Sequence, residues 1–80
     1  MEGTLGEIRL FAGNYAPLNW MFCQGQLLPI AQNAALFSIL GTFYGGDGQV
    51  TFGLPNLPGP ATQPPMAYII CVAGMYPSRP

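Results

Sequence analysis

The 80-residue sequence contains very little charge, and this shortage limits what the protein can be. Only Glu2, Glu7, Arg9, Asp47 and Arg79 are charged at neutral pH, whereas about a quarter of the residues are charged in an ordinary soluble domain. Half of the residues are apolar. A small domain of this composition leaves apolar patches on its surface, and such patches mark contact sites. We therefore expect an obligate subunit of an oligomer.

Residues that carry most enzyme chemistry are also scarce. The sequence has no histidine and no lysine, and its three acids lie far apart, so no catalytic triad and no carboxylate pair is visible. Two cysteines fall short of the four or so ligands that a zinc or iron–sulfur site needs within one chain. We predict a protein that is not an enzyme and that has no cofactor and no metal.

Long apolar runs and basic clusters are missing too. The longest apolar run, Met66 to Met75, is shorter than the roughly 18 residues of a membrane-spanning helix. The first residues lack the pattern of a secretory signal, so we expect synthesis in the cytoplasm, where Cys23 and Cys71 are expected to be buried thiols rather than a disulfide. Two distant arginines form no basic stripe, which argues against nucleic-acid binding.

The first third of the chain predicts a small β unit. Residues 6–12 alternate in the manner typical of a half-buried strand. One face of this strand carries Ile8, Leu10 and Ala12, and the other face carries Glu7, Arg9 and Phe11. Residues 20–23 predict a second strand, and residues 24–25 predict the tip of a hairpin that leads into residues 26–28.

A short helix is predicted over residues 32–40, because Leu36, Ile39 and Leu40 are spaced to form one apolar stripe. Gly41 is predicted to end the helix. Ala31 is a poor N-terminal cap, and Asn33 could cap a shorter helix instead.

The last third combines a proline-rich connector with the most apolar segment. Residues 50–52 predict a strand fragment, and five prolines within residues 55–65 exclude a long central strand there. Residues 66–73 are apolar without alternation, which predicts a strand covered on both faces. We expect this strand to pair with or pack against a neighbouring molecule. The candidate interface residues are Tyr68, Ile69, Ile70, Val72, Met75 and Tyr76.

The glycine-rich stretch at residues 45–48 predicts a turn rather than a phosphate-binding loop, because no lysine is present. Several of its glycines are expected to have positive φ, and Asp47 is expected to bond to its own backbone. A calcium site with this one acid would be poor.

Exposed aromatic rings can stack on sugars, and Tyr15 and Tyr44 are the better candidates because they lie in glycine-bounded loops. Trp20 follows an apolar strand pattern and is expected to be buried.

A series of spaced motifs resembles one known family. In order, these motifs are Gly6-Glu7-Ile8-Arg9-Leu10-Phe11-Ala12-Gly13, Ala16-Pro17, Trp20, Cys23-Gln24-Gly25-Gln26, Pro29-Ile30, Gln32-Asn33, Ala35-Leu36-Phe37, Leu40-Gly41-Thr42, Tyr44-Gly45-Gly46-Asp47-Gly48, Thr51-Phe52 and Leu54-Pro55-Asn56-Leu57. Over residues 6–57 the sequence resembles the bacteriophage tail collar domain family, in its microcystin-dependent-protein branch. Residues 66–79 are similar to the C-terminal strand of that branch. Pro58-Gly59-Pro60 stands where longer relatives carry an arginine-rich turn followed by a variable outer region, so the chain resembles a minimal version.

The resemblance implies an α+β fold of mostly short β-strands with one short helix, in a small collar-type domain. The expected parts are a core at 1–57, a proline-rich connector at 58–65 and a C-terminal apolar strand at 66–80. The implied function is that of a structural protein in the tail of a phage or phage-like particle, forming or attaching part of a tail fibre or baseplate.

The expected partners are copies of the same chain, in a homotrimer, and other tail fibre or baseplate proteins of the virion. Membrane insertion is not expected. Two alternatives stay open: a carbohydrate-binding tip that recognises a host surface glycan, and a tail-fibre assembly chaperone.

Overall fold

Short strands dominate the computed structural model, which describes residues 2–61 and 65–78. In chain order the elements are β1 (Ile8–Phe11), β2 (Trp20–Phe22), β3 (Leu27–Pro29), α1 (Ala34–Leu40), β4 (Thr51–Gly53) and β5 (Ala67–Cys71). The prediction of an α+β domain with mostly short strands and one short helix is therefore confirmed.

The larger sheet has β5 in its centre. Both of its neighbours are antiparallel to it, in the order β1-β5-β2. Ile70 lies opposite Ile8 on one side and opposite Met21 on the other. We expected β5 to pair with or pack against a neighbouring molecule. Pairing is wrong, because strands of its own chain occupy both edges of β5, and packing against a neighbour stays a prediction.

The smaller sheet consists of β3 and β4, which are antiparallel, with Leu28 opposite Phe52. The predicted hairpin of β2 and β3 is wrong, since these two strands belong to different sheets. At the expected tip, the amide of Gly25 donates to the carbonyl of Pro55 at 3.2 Å, and Gln24 pairs with Asn56. After β2 the backbone therefore bonds to residues 55–56 and does not turn back on β2.

Helix α1 is the shorter of the two predicted forms and begins after Asn33. The Asn33 side chain does not cap it, because its amide donates to the carbonyl of Pro29 at 3.0 Å. Gly41 ends the helix as predicted, with φ of 57° and with its N–H bonded to the carbonyl of Phe37 at 2.7 Å.

Two apolar clusters cover β5 on its two faces. The larger cluster contains Leu5, Cys23, Leu36, Phe52, Leu54 and Ile70. The smaller one contains Trp20, Ile69 and Cys71, with Phe11 and Phe22 packed against it. Consecutive residues Ile69 and Ile70 are both fully buried, which confirms the prediction that both faces of this strand are covered. Each such side chain contributes about 1.5–3 kcal/mol through burial.

The segment after β5 returns to the start of the chain. The amide of Leu5 donates to the carbonyl of Met75 at 2.7 Å, and Thr4 and Met75 form a parallel bridge. The predicted boundaries at 57/58 and 65/66 stay predictions. The predicted connector includes residues 62–64, which lie outside the described residues, as do the first residue of the predicted core and the last two of the predicted C-terminal strand.

Candidate interaction surfaces

The glycine loop is shaped by backbone conformations that favour glycine. Gly45, Gly46 and Gly48 all have positive φ, as predicted. Gly46 also packs so closely on β4 that a Cβ atom there would overlap the backbone of Thr51 and Phe52. The loop is therefore fixed against the smaller sheet.

Asp47 bonds to its own loop, as predicted. Its Oδ1 accepts hydrogen bonds from the backbone N–H groups of Gln49, Val50 and Thr51 at 2.9, 2.9 and 3.0 Å. These bonds, with that of Thr51 the strongest influence, lower the pKa of Asp47 from 3.8 to about 2. The carboxylate serves the backbone of its own turn. Among the described residues no group of three or more acids, cysteines or histidines is placed to hold a metal ion.

The six candidate interface residues divide between the core and the surface. Ile69 and Ile70 are fully buried within one chain, so we now assign them to the core and not to an interface. Tyr68 and Val72 are half-buried. Met75 is 78% exposed, and Tyr76 is also exposed, with its hydroxyl 2.7 Å from the hydroxyl of Ser38.

The two candidate sugar-stacking residues are both exposed. Tyr15, in the loop between β1 and β2, is 72% exposed, and Tyr44 is less so. The Tyr44 ring packs edge to face on Phe43, with the ring centroids 5.3 Å apart. Trp20 is buried, as expected.

The structure exposes many apolar side chains, and most of them were not predicted from the sequence to lie at the surface. The large exposed apolar residues of the described chain are Ile8, Leu10, Tyr15, Leu18, Leu27, Ile39, Phe43, Tyr44, Val50, Leu57, Met75 and Tyr76. Phe43 is the extreme case at 86%. A useful signal was available for Leu18, which lies between Pro17 and Asn19, and for Phe43, which lies two residues from Gly41 and from Gly45, because such residues mark turns.

One charged cluster lies at the surface of the larger sheet. The Arg9 Nε donates to Oε2 of Glu7 at 2.6 Å, and the Arg9 guanidinium carbon lies 5.2 Å from the ring centroid of Trp20. The hydrogen bond from Arg9, helped by the N–H of Thr4, lowers the pKa of Glu7. Glu7, Arg9 and Asn19 are among the residues lining an open cavity of about 480 Å³. Glu7 and Arg9 pair with each other at this cavity, and Glu2 also lines it.

Comparison with known protein families gives a match over more than half of the chain. No curated protein and no solved structure matches the chain. No helix within the described residues is long and apolar enough to span a membrane. Residues 6–62 match the model of the phage tail collar domain. Because this match covers well over half of the chain and agrees with the motifs at residues 6–57, the chain belongs to the phage tail collar domain family, whose members are structural components of bacteriophage tails.

Proposed function

We propose that this protein is a self-associating subunit of a phage or phage-like tail, where it forms or attaches part of a tail fibre or baseplate. The observation that carries the proposal is the set of exposed apolar side chains on a domain with five charges. Such a surface is unfavourable in water and favourable in an interface. Family membership supplies the tail as the setting.

One apolar surface, which we call the loop patch, consists of the exposed side chains of Leu27, Phe43 and Tyr44. Leu27 lies opposite Gly53 across the smaller sheet, and Gly53 donates its N–H to the carbonyl of Gly45 at 2.9 Å. This bond places the residue after Tyr44 beside the strand pair. The loop patch is thus held by backbone bonds, and a preformed patch loses little entropy when a partner covers it.

Part of the C-terminal segment offers a second surface. Met75 and Tyr76 are exposed, and backbone bonds from Met75 to Gly3 and Leu5 hold this segment in place. Tyr68 and Val72 complete the residues that remain candidates for an interface. Three copies is the number that the family resemblance favours. We also propose that the chain belongs to the microcystin-dependent-protein branch of the family and that it is a minimal version without the variable outer region.

Mass spectrometry of gradient-purified particles tests the proposal. We expect the protein in particles at a fixed ratio to other tail proteins, and we expect deletion of its gene to change tail composition. A protein that is needed for assembly but absent from finished particles would instead be an assembly chaperone. Native mass spectrometry of the purified protein tests self-association, and a stable monomer at micromolar concentration would contradict it.

A carbohydrate-binding tip is the second candidate function, favoured by the exposure of Tyr15. A glycan array with the wild-type protein, followed by host adsorption measured with Tyr15→Ala and Tyr44→Ala, tests this function. Leu18→Ala is the matched control, because Leu18 is exposed and apolar but has no ring. An array without hits together with unchanged adsorption would exclude sugar binding by these residues.

A further inference from the structure

The outer edge of β1 carries unpaired backbone groups. Cys71 donates its N–H to the carbonyl of Glu7 at 2.9 Å, so the carbonyl of Glu7 faces β5. Backbone groups alternate in direction along an antiparallel strand, and therefore those of Arg9 also face β5 while those of Ile8 and Leu10 face away. Within the described residues, neither of these two outward amides donates to another part of the backbone.

This edge also has apolar side chains and lacks the usual protection. Ile8 and Leu10 are 39% and 43% exposed. Natural edge strands are commonly blocked by lysine, proline or an inward-pointing charge. The sequence of β1, IRLF, contains no lysine and no proline, and Arg9 lies over Trp20 rather than across the edge. An added strand would find both backbone partners and apolar contacts here.

The charges on either side of Ile8 indicate which strand would pair with the free edge of β1. Glu7 and Arg9 flank Ile8, so two antiparallel copies centred on Ile8 place each Glu7 opposite the Arg9 of the other copy. Arg9 uses Nε for its own Glu7, which leaves its two terminal nitrogens for a second carboxylate. The two Glu7 and two Arg9 side chains then alternate in charge around the central pair of Ile8 residues. Opposite charges that face each other across two strands are stabilising, and like charges are destabilising.

We propose that β1 pairs with β1 of a second copy across a two-fold axis at Ile8. The outward amide and carbonyl of Ile8 exchange hydrogen bonds with those of Ile8 in the other copy. A shift of one residue brings an outward residue opposite an inward one and loses these bonds. A shift of two residues in one direction puts Arg9 opposite Arg9. A shift of two residues in the other direction puts Glu7 opposite Glu7. A further shift, centred on Leu10, pairs no charges.

The inference rests on the self-association proposed above and adds one specific contact to it. The two three-stranded sheets become a continuous sheet of six strands, which removes two exposed edges at once. A two-fold contact cannot close a ring of three, because its two surfaces are identical. In a trimer it would therefore join two trimers.

Disulfide trapping in purified protein tests the register. In Ile8→Cys the two introduced thiols belong to a directly opposed pair, with Cα atoms about 5.5 Å apart, which is suitable for a disulfide. We expect a covalent dimer on a non-reducing gel after mild oxidation. Leu10→Cys is the matched control, because its two thiols would lie about 13 Å apart along the strands. A dimer from Leu10→Cys without one from Ile8→Cys overturns the register, and no dimer from either variant overturns the pairing.

Charge reversal tests the same contact without a disulfide. Glu7→Arg alone and Arg9→Glu alone each place like charges opposite each other, so we expect the two-fold contact to weaken by about tenfold. When mixed, these two variants complement each other between copies although neither can form the ion pair within its own chain. We expect mixed pairs in native mass spectrometry. Failure of the mixture to associate, with both variants folded by circular dichroism, contradicts the proposal.

These assays use the isolated protein, so their outcome is separate from that of the virion experiment. If the protein is absent from particles but Ile8→Cys is trapped as a dimer, the tail role fails and the pairing stands. If the protein is present in particles and no dimer is trapped, the pairing fails and the tail role stands.

Discussion

The Oδ1 atom of Asp47 accepts a hydrogen bond from the N–H of Thr51 at 3.0 Å and thereby ties the glycine loop to the first residue of β4. Folding lowers the pKa of Asp47 to about 2, so the folded chain binds this proton more weakly than the unfolded chain. The resulting stabilisation is complete above the unfolded pKa and is lost as the pH falls from about 4 toward 2.

We therefore predict that Asp47→Asn lowers the urea midpoint at pH 6 and that its loss of stability between pH 5 and pH 2 is smaller than that of the wild type. Urea titrations at these three pH values provide the measurement. Glu7→Gln is the control for the other carboxylate whose pKa is lowered. Equal acid sensitivity in the wild type and Asp47→Asn would contradict this role of Asp47.

Gly46→Ala is predicted to prevent the loop from closing. Its φ is 90°, and a Cβ atom would overlap the backbone of Phe52, which has little freedom to move. Gly41→Ala is the matched control, because Gly41 also has positive φ but no atom lies within 4 Å of the added Cβ. We expect a loss of about 1–3 kcal/mol for Gly41→Ala, from backbone strain alone, and a larger loss for Gly46→Ala. Thermal or urea unfolding gives the comparison, and equal losses would count against the overlap.

Ile70→Asp is predicted to abolish folding. Ile70 has no exposed surface and belongs to the larger cluster, so an aspartate there has no water and no opposite charge. The desolvation of an unpaired carboxylate costs several kcal/mol, which approaches the whole stability of a small domain. Met75→Asp introduces the same carboxylate at an exposed position, so the circular dichroism spectrum of this variant should show an intact fold. A folded Ile70→Asp protein would show that β5 is not the centre of the core.

Both cysteines are predicted to be unreactive in the folded protein. Cys23 and Cys71 are buried free thiols, and burial raises the pKa of Cys23, so its reactive thiolate is rare near neutral pH. We expect slow modification by a thiol reagent at pH 7 and rapid modification of two thiols in urea. Leu18→Cys introduces an accessible thiol for comparison, since Leu18 is exposed. Rapid labelling of the wild type without urea would contradict this burial.

The loop patch is predicted to contribute to self-association. Covering the Phe43 ring in an interface is worth about 1.5–3 kcal/mol, so Phe43→Ser should weaken association by roughly 10- to 100-fold. Gln49→Ser is the control, because it alters an exposed polar residue of the same connection between α1 and β4. Analytical ultracentrifugation over a concentration series measures both variants. An unchanged association constant for Phe43→Ser would remove the loop patch from the interface.

Local pattern was enough to predict the kinds of elements but not how the strands pair. The apolar run in residues 66–73 predicted a strand covered on both faces. A strand with one face in water would alternate apolar and polar residues, and β5 does not. The predicted hairpin failed because Gln24 and Gly25 bond to Asn56 and Pro55, about thirty residues away. Such long-range partners leave no periodic signal near the turn.

The sheet face on which each β1 side chain lies, and its exposure, were harder to predict than the elements themselves. Alternation along β1 separated Ile8 and Leu10 from Arg9 and Phe11, yet the face that includes arginine is the one over Trp20. The long side chain of arginine can cover an aromatic ring while its charge stays in water, and a polarity pattern does not show this. The role of Asp47 was predictable, since an aspartate among glycines bonds to the backbone two or more residues ahead.

The central position of β5 has a consequence for the order of events during synthesis. β1 and β2 lie on either side of β5, so the larger sheet cannot form until residues 67–71 have left the ribosome. Until then the growing chain carries strands without a partner, and contacts between such distant segments form slowly. We therefore expect the nascent chain to be prone to aggregation until β5 is free to pair.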